Sequence, residues 1–420
     1  MNIDANQKVE NEIIEKAKYC LKCKNKPCSN ACPMHTNIPG FISEIEKGNI
    51  KEAYKILINN NIFSHICSIV CPQEKQCEGS CIRGIKQTST EIGKLEEYVN
   101  KWAEENLEKI DFKIENKIDK KIAVIGSGPA GMQCAFDLKR KGYHVTVFEK
   151  EKNIGGILNY GIPDFRLNKS YLNNIVDLLE KIGIEFKTEK ELGKDIHIKE
   201  LKDKYDFIFI GIGAEIPSKY DLGDFESIYE PDIFLKAYNN NQFISGLGDV
   251  AIIGGGNVAM DCSRAALRMG ANSSTIIYRR DEKYMPASIK ELEDAISEGV
   301  RKEFTTRVIK ASGNKKIESL KCIKTEIIDG KAIDIPNTEF DFKANTVIFA
   351  IGQKPNKEVL EKEGLKVNNW GQLEVDESGM TNIENVYAGG DVSEDKATVC
   401  VALGSARRVA NSIDKKIKGE

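Results

Sequence analysis

The sequence predicts an α/β protein with an all-α front end, and three observations carry that expectation. A strand, glycine turn, helix and strand pattern occurs twice, in KKIAVIGSGPAGMQCAFDLKRKGYHVTVFEK from Lys120 and in DVAIIGGGNVAMDCSRAALRMGANSSTIIYRR from Asp249. Ahead of both, apolar residues recur at three- and four-residue steps through IPGFISEIEKGNIKEAYKILINNN and IGKLEEYVNKWAEENLEKI, the period of amphipathic helices. Finally, eight of the twelve cysteines (Cys20, Cys23, Cys28, Cys32, Cys67, Cys71, Cys77 and Cys81) fall within this helical front end. Each repeated pattern is a βαβ unit, so two Rossmann-like nucleotide-binding domains follow a cysteine-rich helical one.

At 420 residues with 41% hydrophobic content, the chain is too long for one core and splits into two to four domains. The charged stretch Asp111 to Lys121 reads as a linker. The expected divisions are a helical domain at 1–112, a domain in two pieces at 113–247 and 345–420, and an inserted domain at 248–344. A net charge of −3 gives no basic field, which argues against nucleic acid as a partner. The N-terminus lacks an apolar signal core, and nowhere do about 18 apolar residues run together, so neither export nor a membrane is expected. A cytoplasmic protein keeps its thiols reduced, and there clustered cysteines hold metal or do redox work.

In the first turn, Gly126 permits the tight bend, Gly128 lets the backbone approach a pyrophosphate, and Gly131 lets helix pack on strand. Pro129 and Ala130 open the helix, whose positive N-terminus faces the phosphates. Glu149 ends the next strand, placed to take ribose hydroxyls, with Lys150 beside it.

The second turn runs Gly254, Gly255, Gly256, Asn257, Val258. Its following strand ends in Tyr278 where a carboxylate would hold a free 2′-hydroxyl, and Arg279 and Arg280 come next. Two guanidinium groups there favour a 2′-phosphate, and so NADPH over NADH. The first site is then left for FAD. The segment NVYAGGDVSEDKATVCVALGSARRVAN supports this, because it sets Gly390 and Asp391 between a strand and a helix, where Asp391 can bond a ribityl hydroxyl. It also makes the FAD domain discontinuous around the NADPH domain.

A disulfide reductase needs two cysteines a few residues apart beside its flavin. Cys134 and Cys262 have no such partners, and both sit on helices after the glycine turns, where a small buried thiol is expected. Electrons leave the flavin another way. The spacing Cys20-x2-Cys23-x4-Cys28-x3-Cys32-Pro33 echoes ferredoxin-type runs, and Cys67, Cys71, Cys77 and Cys81 are enough to complete a second cluster. Zinc is the rival, since paired thiolates also make closed tetrahedral sites. Zinc is redox-silent, however, in a chain otherwise built to move electrons.

The motifs CLKCKNKPCSNACP, CSIVCPQEKQCEGSC, IGKLE, VIGSGPAGM, GGILNYGIPDFRL, AIIGGGNVAMDC, YRRDEKYMPA and YAGGDV span nearly the whole chain. Together they resemble the family of the glutamate synthase small (β) subunit, which includes the N-terminal part of dihydropyrimidine dehydrogenase and the large subunit of NADH-dependent ferredoxin:NADP oxidoreductase. The resemblance implies two [4Fe-4S] clusters, one on Cys20, Cys23, Cys28 and Glu96 of IGKLE, the other on Cys32, Cys71, Cys77 and Cys81, with Cys67 a neighbour. It also implies flavin-site roles for Gly155, Gly156, Leu158, Arg166, Ala397 and Thr398. Met285 to Ala287 match the family near its NADPH site. Ser393 to Lys396 depart from it, being poorer in glycine. None of His35, His65, His144 and His197 sits in a catalytic or metal-binding pattern.

The expected function is an oxidoreductase that passes electrons from NADPH through FAD to the clusters and a partner. No side-chain acid or base is required for the hydride step. The resemblance implies the glutamate synthase large subunit as partner, with a ferredoxin-linked transhydrogenase subunit as the alternative. From another class, a zinc-binding redox sensor or scaffold stays open.

Overall fold

The computed structural model describes residues 3–106, 114–395 and 397–420, with side chains from Glu10 onward. The expected boundary at 112, linker residues Asp111 to Lys113, the end of the second amphipathic stretch (Leu107 to Ile110) and Lys396 lie outside the described residues. The chain divides into two compact units. One comprises 1–158, 166–213 and 355–420, the other 159–165 and 214–354.

The first unit opens with helices Ile3–Lys18, Pro27–Ala31, Ile38–Glu46, Ile50–Asn60, Ser64–Val70 and Ile92–Asn106. The predicted periodicity becomes a common core: Phe41, Ile42, Ile45, Ala53 and Leu57 meet Ile92, Leu95 and Val99, all at most 2% exposed. Burying each large apolar side chain of this kind is worth about 1.5–3 kcal/mol. This helical segment packs with a five-stranded parallel sheet, ordered Val386–Ala388, Phe207–Ile210, Lys121–Ile125, His144–Phe148, Glu185–Lys187. The central strands are buried almost throughout, which is why KIAVI and FIFI are continuous apolar runs. Helix Pro129–Arg140 covers the sheet, and the C-terminal helix Val399–Lys418 lies along it, tied by Arg407 to Asp137 and by the Tyr143 hydroxyl to Asp414 at 2.7 Å.

Gly404 lets the C-terminal helix reach the cysteine-rich segment, since a Cβ there would lie 2.5 Å from the Pro33 carbonyl oxygen. Arg407 Nη1 donates to Asn60 Oδ1 at 3.1 Å across the same contact.

The second unit has its own parallel sheet, ordered Ile228–Tyr229, Thr346–Phe349, Asp249–Ile253, Ser273–Tyr278, Arg301–Phe304, and an antiparallel sheet built on Thr306–Gly313 and Ile317–Ile328. The insertion therefore differs from the expected 248–344. It begins at 214, because Ile228–Tyr229 joins its sheet and helix Pro231–Asn239 packs on helix Asn257–Arg268, and it extends to 354, because Thr346–Phe349 pairs with Asp249–Ile253.

Candidate functional site

The first glycine turn joins strand Lys121–Ile125 to helix Pro129–Arg140. Gly126 has φ +99°, and a Cβ on Gly131 would fall 1.8 Å from the Gly126 carbonyl oxygen, so both glycines are dictated by the backbone. Gly128 differs: a Cβ there meets nothing within 4 Å, so this face of the turn is open. The buried Glu149 carboxylate accepts from the Ser127 amide at 2.9 Å and the Ser127 hydroxyl at 2.5 Å, tying the expected ribose acceptor to the turn. Lys150 is exposed one residue beyond.

Two further segments converge on this turn. Gly155 N–H donates to Ser127 Oγ at 3.0 Å, and a Cβ on Gly156 would sit 3.0 Å from Gly128 Cα. Leu158 is fully buried and Arg166 half-buried in the same unit, whereas residues 159–165 of the GGILNYGIPDFRL motif belong to the other. From the C-terminal side, Gly390 has φ +78° and lies so close to Ala130 that a Cβ would approach its side chain to 2.8 Å. Among the described residues Asp391 Oδ1 is buried with no donor, and burial, with Glu394 adding to it, pushes the carboxyl up to about 6. Thr398 caps helix Val399–Lys418, its hydroxyl accepting from Val401 N–H, and Ala397 precedes it. An open glycine face at a helix N-terminus and an orphaned buried carboxylate oxygen fit the pyrophosphate and hydroxyls of FAD.

The second turn repeats the logic. Gly254 has φ +147°, and a Cβ there would strike the Ala350 carbonyl oxygen at 2.1 Å, while one on Gly255 would strike the Tyr278 ring at 2.7 Å. Gly256 is open except for Pro286 at 3.9 Å. Asn257 begins helix Asn257–Arg268 and accepts from Ser288 N–H at 3.1 Å, with half-buried Val258 next. Ala287 N–H donates to the Gly255 carbonyl at 3.0 Å, so the Met285 to Ala287 segment clasps the turn, a role its sequence did not reveal. The backbones of Arg279 and Arg280 are pinned by Thr325 and Thr305, and Arg280 Nε is buried with no acceptor among the described residues. These residues fit a 2′-phosphorylated nucleotide.

The cysteines gather in two places. Cys20, Cys23, Cys28 and Cys81 line one small cavity, partly open to solvent and closed in by Leu21, Pro27, Ile42 and Ile92. Burial pushes the Cys20 and Cys28 thiols up. Cys81 ends below its ordinary value: burial opposes this, but the Thr90 amide and hydroxyl and the amides of Arg83 and Gly84 outweigh it. Among the described residues no three His, Cys, Asp or Glu side chains come close enough to hold a single metal ion, but four thiols lining one cavity are the donor type that a [4Fe-4S] cluster takes.

Cys32, Cys77 and Glu96 form the second group. Burial raises both thiols, with the Glu96 charge adding to it. Burial also pushes the Glu96 carboxyl up to about 7, although Ser64 Oγ donates to it at 2.7 Å. Cys71 follows helix Ser64–Val70, its amide donating to the Cys67 carbonyl at 3.0 Å, and the neighbouring Cys400 and Cys67 thiols, with burial, push its own thiol up. The arrangement departs from the partition expected from sequence: Cys81 joins Cys20, Cys23 and Cys28, and Glu96 joins Cys32 and Cys77. The reason is the fold of residues 73–92, whose two 3₁₀ turns, Gln73–Lys75 and Ile82–Ile85, carry Cys81 back to the first cavity. Cys134 and Cys262 are each 0% exposed on helices, their thiols raised by burial.

With this geometry in view, the family described as pyridine nucleotide-disulphide oxidoreductase matches residues 120–411. Residues 2–108 match dihydropyrimidine dehydrogenase domain II, 4Fe-4S cluster. The Escherichia coli glutamate synthase [NADPH] small chain is 33% identical over 432 residues, covering 96% of this chain and 91% of that one. The chain belongs to the glutamate synthase small-chain family. It is an oxidoreductase with flavin and pyridine-nucleotide folds and a 4Fe-4S domain. Another relative, the NADPH-Fe(3+) oxidoreductase subunit beta of Geobacter sulfurreducens, is 31% identical over 93% of this chain and 63% of its own. Among solved structures, Mycobacterium tuberculosis FprA in complex with NADPH shares the fold at TM-score 0.61 and 18% identity, over 71% of this chain and 85% of that one. The small-chain and beta-subunit relatives are named as parts of multi-subunit enzymes. Among the described residues, no helix is long and apolar enough to cross a membrane.

For this small-chain relative, sequence reasoning missed Cys400. Its thiol lies 3.0 Å from Gln76 Nε2, 3.1 Å from Gln76 Oε1 and 3.4 Å from Thr398 Oγ1. Standing alone in sequence, it carried no signal of this position.

Proposed function

We propose that the chain takes electrons from NADPH through FAD into two [4Fe-4S] clusters and delivers them to a larger partner subunit, the glutamate synthase large subunit. The observation that carries the reading is the cavity ringed by Cys20, Cys23, Cys28 and Cys81, in the same compact unit as the flavin-type glycine turn. The proposed ligands are those four for one cluster, and Cys32, Cys71, Cys77 and Glu96 for the other. FAD, when bound, supplies the exchange between paired electrons at nicotinamide and single electrons at iron–sulfur centres.

The chain's own residues do the rest. The amides of the Gly126 to Gly131 turn bind pyrophosphate, Glu149 and Asp391 accept from hydroxyls, and Arg279 and Arg280 select the 2′-phosphate. Half-buried Cys32 and Cys77 shield the second group, and a reducing cytoplasm keeps the seven proposed ligand thiols available for iron. The partner assignment is supported by the small-chain relative, which this chain matches almost end to end.

Anaerobic purification tests the reading. The expected product contains FAD and about eight iron atoms per chain, and bleaches when NADPH is added. Iron-free protein carrying zinc would instead establish the sensor or scaffold reading. Co-purification with the large subunit from the native organism tests the partner.

A further inference from the structure

The two cysteine groups differ in what covers them. The second is backed by the C-terminal helix, which meets Pro33 at Gly404, while Gln76 Nε2, next in sequence to Cys77, lies 3.0 Å from Cys400 Sγ. The first opens partly to solvent through the cavity of Cys20, Cys23, Cys28 and Cys81. Leu21 and Ile82 line that cavity and are 51% and 38% exposed, and Ile85, which ends the same 3₁₀ turn as Ile82, is 76% exposed. Large apolar side chains gathered at one opening are unlike the single exposed residues of an ordinary surface. The uncompensated charge around them is positive. Exposed Lys24 and Lys26 stand between Cys23 and Cys28, exposed Lys86 follows the 3₁₀ turn, and Arg83 lines the cavity. Arg83 joins the two segments, its Nε donating to the Tyr19 carbonyl at 2.9 Å and its Cζ lying 4.3 Å from the centre of the Tyr19 ring. Among the described residues none of these four cations meets a carboxylate; Lys26 donates to the neutral Asn37 Oδ1 at 3.1 Å. Acids of the neighbouring segments are already engaged, Glu15 by Lys18, Glu46 by Lys22 and Glu91 by Lys16, and Glu78 accepts from the Gly93 amide at 2.9 Å.

We infer that the face around this cavity is where electrons leave the chain, and that it docks an acidic protein surface with an apolar centre, carried by the larger partner subunit. This rests on the function proposed above and adds where the partner sits and what chemistry recognises it. Leu21, Ile82 and Ile85 supply the apolar centre that sheds water on contact. Lys24, Lys26, Arg83 and Lys86 form the rim, which steers an acidic partner and fixes its orientation. The transfer across the interface is of one electron, lost at the Cys20 cavity and gained by a one-electron centre of the partner, with no bond or proton moved. The covered group, on the side of the C-terminal helix, feeds the open one.

The experiment measures anaerobic binding of the full chain to the large subunit from the native organism, across a salt series, for wild type, the double variant Lys24→Glu, Lys86→Glu, and Ile85→Ser. Iron and FAD are measured on every sample. Wild-type affinity is expected to fall at least about tenfold between about 0.05 and 0.5 M salt. The double variant is expected to bind at least about tenfold more weakly at low salt and to lose most of the salt dependence. Ile85→Ser is expected to weaken binding at both ends of the series, since an apolar contact is not screened. Should the double variant lose iron, Ile85→Ser and the wild-type salt series decide. Unchanged affinity in an iron-replete double variant, unchanged affinity in Ile85→Ser, or wild-type binding that ignores salt overturns the inference alone. A dimer of the chain by itself that the double variant dissolves overturns it too, by making the face a self-contact. Wild-type protein with its clusters in place that binds no large subunit overturns the partner assignment and this inference together.

Discussion

Cys28 and Cys81 face a common cavity, although the family resemblance groups Cys81 with Cys32, Cys71 and Cys77. Cys81→Ala is therefore expected to remove the same paramagnetic signal as Cys23→Ala. Glu96→Ala is expected to weaken the signal that Cys77→Ala removes. Four single variants, reduced anaerobically, decide the grouping; shared loss in Cys23→Ala and Glu96→Ala would restore the partition expected from sequence.

Two glycines of one turn make opposite demands. Gly131→Ala drives a Cβ into backbone at 1.8 Å, and overpacking against atoms that cannot yield costs about 1–3 kcal/mol or more. Its melting temperature is expected to fall with or without flavin. Gly128→Ala meets open space, so the fold is expected to keep its melting temperature without flavin while FAD affinity drops at least tenfold. Thermal unfolding and flavin titration of the two apoproteins, side by side, check the contrast.

What the sequence made legible was local. A glycine turn between an apolar strand and a helix is written in about a dozen neighbouring residues, so Gly126, Gly128, Gly131 and Gly254 could be assigned from spacing alone. The start of the inserted unit was not legible, because Ile228–Tyr229 is a two-residue strand with no period to read. Nor was the exchange of Cys81 and Glu96, which depends on how two 3₁₀ turns route the chain through space. Cys400 was hidden for the same reason: its neighbour Gln76 is brought to it only when the C-terminal helix docks.

Arg279 and Arg280 follow the strand after the second glycine turn, the Nε of Arg280 lacking an acceptor among the described residues. Charge-assisted hydrogen bonds to a phosphate contribute about 1.5–3 kcal/mol each. The double variant Arg279→Ala, Arg280→Ala is thus expected to raise the KM for NADPH at least about 100-fold, leave kcat near wild type and change the KM for NADH little. Steady-state reduction of an artificial dye measures all three.

Asp391 gives the flavin site a cost in the free protein. Its carboxyl titrates near 3.8 in an unfolded chain and is pushed up to about 6 in the folded one, chiefly by burial. Between these values the folded state holds a proton that the unfolded state has released, so stability falls as pH rises through the window. The loss is complete above pH 6 and amounts to about 3 kcal/mol, at 1.36 kcal/mol per unit. Asp391→Asn removes the ionisation. Flavin-free Asp391→Asn is expected to melt higher than wild type at pH 7.5 and nearly with it at pH 4, while binding FAD more weakly. Equal melting temperatures at pH 7.5 would mean that Oδ1 finds a donor in solution. The residue would then be an ordinary cap at the end of its strand, and its link to the ribityl chain would be lost with it.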